Sequence, residues 1–132
     1  MPIVGMASNY INLYYMRDHI LNTSTKGSTY INFYYSLSKY ISDVNLYSNY
    51  SDYLNIYRTA HLIGFTLVAN YLNSNYDGIL INEYDANKLL QMSIKLKSLN
   101  PPQSVLNTLN VLESDLIYLK NKPVSDVRNF FQ

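Results

Sequence analysis

The chain has 132 residues, enough for one domain that buries about two-thirds of the surface its unfolded form exposes. Charged residues make up 14% and sum to +1, so the basic stripe that nucleic-acid binding calls for is missing. There is no cysteine, which excludes disulfides and thiolate chemistry, and the most apolar run, Ala60 to Leu72, contains Asn70 and is too short to span a bilayer.

The first helix is expected from Ser8 or Asn9, either of which can cap it, to about Leu21. Residues 22–27 then form a turn rich in side chains that bond their own backbone, with Ser24 or Thr25 as the next cap. In the second helix Tyr30, Phe33, Tyr34, Leu37, Ile41 and Val44 recur at spacings of three and four. A break is expected over 45–50. The third helix runs from Ser51 to Leu72, where Ala60 and Gly64, four apart, would let another helix approach closely. Residues 73–78 end in the turn signal Asp77-Gly78, and Ile79-Leu80-Ile81 reads as a buried connector without a strand partner.

Asn82 is expected to cap a fourth helix with Ala86, Leu89, Leu90, Ser93 and Leu96 inward. Pro101-Pro102 opens the fifth, whose Val105, Leu109, Leu112, Leu116 and Leu119 alternate steps of four and three. That seam fits bundle packing and leaves a homodimer open. After Pro123 a short helix should dock Phe130 and Phe131 on the body. The fold class is therefore all-α: a compact bundle of five to six helices in a single domain, 1–132, either complete or part of a longer protein.

One phrase recurs: Tyr10-Ile11-Asn12-Leu13-Tyr14, Tyr30-Ile31-Asn32-Phe33-Tyr34 and Tyr53-Leu54-Asn55-Ile56-Tyr57. At 3.6 residues per turn the two tyrosines and the hydrophobic residue between them share a face, with the Asn turned away. Each copy is one helix, too short a repeat for a helical solenoid. Fifteen tyrosines cannot all be buried with partnered hydroxyls, so some rings must sit at the core's rim with the OH in water. Asn, Tyr, Ile and Lys also share AT-rich codons, so a low-GC genome raises these counts without functional pressure.

Arg17-Asp18, Leu21, Gly27, Tyr30-Ile31, Tyr34-Tyr35 and Ser38 follow a fixed order and spacing. Over residues 17–38 this resembles the CFI-box C-terminal domain family. The Cys-Phe-Ile box itself is absent, and Lys39 stands where a Pro often follows the Ser. The resemblance implies a helical hairpin in an accessory domain, appended to a bacterial protein that is often secreted or envelope-associated. It implies no catalytic residues.

Arg17 and Asp18 point about 100° apart on a helix and are not expected to pair with each other. Arg17 should instead reach carbonyls at its own helix end or on the facing helix, across the phenols of Tyr34 or Tyr35, and Asp18 should accept from backbone N–H groups of the turn or from a Tyr hydroxyl. His19 and His61 lack metal-ligand spacing, no Gly-x-Ser-x-Gly occurs, and Tyr35 with Lys39 lacks the Gly-rich turn a dinucleotide needs. No cofactor, metal or nucleic acid is expected, and no signal peptide is read in residues 1–16.

The leading expectation is a non-enzymatic helical domain that mediates protein–protein contact with a partner or with neighbouring domains of a parent protein. The alternative is a Tyr/Asn-lined module for a small polar or carbohydrate ligand, bound between helices one to three by Arg17, Asp18, Tyr14, Tyr30, Tyr34, Tyr35 and Tyr57. A cleft where phenols meet Arg17 favours the second; a flat aromatic patch favours the first.

Overall fold

The computed structural model describes the backbone of residues 2–43 and 50–132, and the side chains from residue 10 on except those of Tyr50, Tyr53 and Tyr57. Val44, Tyr47 and nearly all of the expected break at 45–50 lie outside the described residues. Among the described residues six α-helices follow in order: α1 (Pro2–His19), α2 (Thr25–Asp43), α3 (Tyr50–Leu72), α4 (Glu83–Ser98), α5 (Gln103–Leu119) and α6 (Val124–Phe130). The architecture is an all-α bundle. No helix among the described residues is long and apolar enough to cross a membrane.

Two boundaries differ from expectation. α1 starts at Pro2, not Ser8 or Asn9, because proline suits a first helical turn. It ends at His19, and Leu21–Thr23 tightens into a 3-10 turn. There Thr23 Oγ1 donates to the Ile20 carbonyl at 2.6 Å, drawing that group away from an α-helical partner. Ser24 then caps α2 as expected, its Oγ accepting from the Gly27 N–H at 3.0 Å. The same hydroxyl donates to the Phe131 carbonyl, which fastens the end of the chain to the start of α2. Gly27 is required by space: a Cβ there would lie 2.1 Å from the Leu21 carbonyl oxygen.

The 79–81 connector does have a partner, contrary to expectation. Ile79 forms an isolated antiparallel bridge with Pro123, flanked by Asn121 N to Ile81 O at 2.7 Å and Val124 N to Gly78 O at 3.0 Å. Pro123 can join because an edge position needs no N–H from it. Leu80 and Ile81 are buried, as the connector reading requires. Asn82 caps α4 by accepting from Asp85 N at 2.8 Å. Asn100 and Asn121, just beyond the ends of α4 and α5, take the left-handed conformation at φ of 57° and 62°, as asparagine tolerates in helix C-caps.

The helices pack in the order α1–α3–α4–α5–α2, while α1 and α2 approach each other less closely than these pairs. The core divides into two clusters. One gathers Tyr71, Leu80, Ile81, Ala86, Leu119, Val124 and Val127, with Phe130 and Phe131 docked against it. The other holds Ile56, Leu96, Val105 and Leu109. The α5 seam is used inside the bundle, since Val105, Leu109 and Leu119 are buried and Leu112 and Leu116 line an interior cavity.

Candidate functional site

Because α1 and α2 diverge from their short turn, a pocket of about 250 Å³ opens between them. Its walls are tyrosines at helical spacing: Tyr10 and Tyr14 from α1, Tyr30 and Tyr34 from α2, joined by Tyr35 and Arg17. Five of the seven expected residues thus meet at one place: Tyr14, Arg17, Tyr30, Tyr34 and Tyr35. Asp18 stands beside it, its side chain 52% exposed. The side chain of Tyr57 lies outside the described residues. Tyr10, Leu13, Leu21 and Ile31 also line the pocket and were missed. Tyr10 carried a signal, since it opens the first copy of the repeated phrase.

Arg17 organises the polar side. Contrary to expectation it does pair with its neighbour: Nε lies 2.6 Å from Asp18 Oδ1, and Nη2 lies 3.0 Å from Oδ2. The rule against adjacent pairs concerns Cβ directions, but the arginine stem is long enough to fold back and present its fork to the carboxylate. Nη1 donates to the Tyr35 hydroxyl at 2.8 Å, so Arg17 joins α1 to α2 through a phenol and not through the expected carbonyls, and the guanidinium lies 5.0 Å from the Tyr14 ring centre. Hydrogen bonds to Asp18 and then to Tyr35 hold Arg17 protonated even beyond its ordinary range. The bond from Arg17 in turn lowers the Asp18 pKa. The pair is neutral overall, and the second N–H of each terminal nitrogen is not used by these bonds.

Tyr30 faces two ways. It lines the hairpin pocket and also a second cavity, of about 280 Å³, inside the bundle. Its hydroxyl donates to Asp115 on α5, which also pairs with Lys26 at 3.2 Å. Burial first, then the bond to Asp115, keeps the phenol protonated well above its ordinary value of 10.0. Phe131 meets the Tyr30 ring edge-on at 5.1 Å.

Every helix contributes to the interior cavity, through Met16, Leu37, Leu67, Leu89, Leu116 and Val127 among others, and members of both core clusters line it. Gly64 faces it as well. The expected close helix approach at Gly64 does not occur, since a Cβ there would meet nothing within 4 Å.

A third, polar cleft of about 360 Å³ separates α3 from α4 and is crossed by Lys95 and Asp52, 3.0 Å apart. His61 packs edge-on against Phe65 with ring centres 5.0 Å apart, and burial lowers its pKa. Among the described residues no three His, Cys, Asp or Glu side chains group as metal ligands.

The described residues thus form a six-helix all-α bundle with an aromatic pocket between α1 and α2. No protein family, curated protein or solved structure matches the chain.

Proposed function

We propose that this chain is a non-enzymatic α-helical binding module whose α1–α2 pocket takes a small, neutral, polyhydroxylated ligand of the carbohydrate class. The observation that carries the reading is the composition of that pocket. Tyrosine rings surround Arg17, and its charge is already neutralised by Asp18. Phenol rings offer flat apolar faces to the C–H side of a sugar and hydroxyls to its rim. The guanidinium supplies directed donors and Asp18 acceptors, a combination suited to neighbouring hydroxyl groups. A neutral pair gives little reason to prefer an anion. The resemblance over residues 17–38 supports a role as a module appended to a larger bacterial protein.

The test is NMR titration of labelled protein with a panel of neutral mono- and disaccharides. Saturable shifts are expected at Tyr14, Arg17, Tyr34 and Tyr35 for at least one member, with Arg17→Ala binding it on the order of tenfold more weakly at unchanged melting temperature. Panel-wide silence at millimolar concentration would overturn the reading.

One observation favours protein contact instead. Ile11, Tyr14, Tyr15, Tyr34 and Tyr35 are all about half exposed or more, and tyrosine with arginine is what interface centres enrich. Tyr15 lies outside the pocket lining, so Tyr15→Ala separates the two readings. It weakens a protein contact and spares sugar binding.

A further inference from the structure

We infer that the cavity inside the bundle is a second binding site, for a neutral apolar molecule of about the bulk of a fused bicyclic aromatic. This inference is independent of the carbohydrate reading. Its first support is size. The cavity measures about 280 Å³, nearly twice the roughly 150 Å³ of an apolar cavity that admits one benzene ring.

The second support is its walls. Leucines from α2 to α5 dominate, and Met16 and Met92 add unbranched thioether chains that adapt to an occupant. The polar lining is already partnered: Ser93 donates to Glu113 at 2.8 Å, and Asp115 accepts from Tyr30 and pairs with Lys26. An occupant therefore need bring no hydrogen bond, which fits an apolar molecule. One bearing a carboxylate would set like charge against Asp115, so an acid of the same shape should be rejected.

The third support is Gly64. It sits mid-helix on α3 where a larger side chain would close part of the cavity, and a Cβ there has open space around it. A helix gives up stability by carrying glycine rather than alanine at such a place. The wider chamber is what that choice leaves. Tyr30 is the partition from the hairpin pocket, held by its bond to Asp115.

The experiment uses the full chain with ¹³C-methyl-labelled methionine, titrated with naphthalene and, separately, with 2-naphthoate. Naphthalene is expected to shift the Met16 and Met92 methyl signals saturably and to raise the melting temperature. The naphthoate should bind on the order of tenfold more weakly or worse. Gly64→Leu, which fills the chamber, should melt higher without any probe and lose naphthalene binding on the order of tenfold. Should Gly64→Leu misfold, Gly64→Ala reads the same loss at smaller amplitude, because its added methyl meets nothing within 4 Å. Arg17→Ala, at the other site, should leave naphthalene affinity unchanged. Unmoved Met16 and Met92 signals at the solubility limit of naphthalene, or glycine variants that bind as tightly as the parent, would overturn the inference.

Discussion

The two ends of the molecule bury very different amounts of themselves. Within α1 and α2 the one buried residue among those described is Gly27, whereas α4 to α6 bury Ala86, Ser93, Leu96, Val105, Thr108, Leu109, Leu119, Val124 and Val127. The C-terminal half carries the conventional core. The first hairpin is attached through half-buried side chains, Met16, Ile20, Leu37, Tyr40 and Ile41, packed on the core's edge, and through polar and ring links: Ser24 to Phe131, Tyr30 and Lys26 to Asp115, and Tyr30 to Phe131. Side chains that packing does not consume remain available to a ligand. That is why the aromatic pocket is at this end.

The contrast can be broken most sharply in the core. Leu96→Ala or Leu109→Ala, at residues 0% and 1% exposed, should each cost about 2–5 kcal/mol in denaturant unfolding. Next comes a crowded place in the hairpin. Gly27→Ala drives a methyl into the Leu21 backbone and should cost about 1–3 kcal/mol while also weakening ligand binding, since Leu21 lines the pocket.

Tyr30→Phe should cost about 1 kcal/mol at neutral pH, because Lys26 still partners Asp115 when the phenol is gone. Its pH dependence sharpens the assignment. The folded pKa of Tyr30 lies above 10.0, so its contribution is present below that pH and is lost as pH rises toward the folded value. Unfolding curves of the Phe variant should lack this alkaline loss. Smallest of all, Tyr34→Ala, at a residue 54% exposed, should change stability by no more than about 0.5 kcal/mol. A larger loss there would mean that the Tyr34 ring is part of the packed interior.

Much of the fold could be read from the sequence where a local rule decides. The cap at Asn82, the seam on α5 and the docking of Phe130 and Phe131 all follow from spacing and residue type over short stretches. The pocket was largely legible for the same reason, because tyrosines four apart share a face wherever the helix is placed. What escaped depends on packing over distance. Ala60 and Gly64 signalled a close helix contact, and the same small residue instead borders open space, since nothing local says whether a neighbour arrives. The Arg17–Asp18 pair escaped because backbone geometry does not limit where a flexible guanidinium ends up. The bridge to Pro123 joins segments on either side of α4 and α5, beyond any window of periodicity.

That bridge and the Ser24–Phe131 bond also set an order of events. The contacts of α4 with α5 join helices consecutive in sequence, and the bridge ties off the two ends of that pair. The link from Ser24 closes a loop of 107 positions. Loop-closure entropy makes the first kind of contact early and the second late. α4 and α5 also hold many of the buried side chains, whereas α1 and α2 bury only Gly27 among the described residues. Amide exchange should therefore be slowest in α4 and α5 and fastest in α1 and α2, so that the hairpin opens, pocket included, before the rest of the molecule.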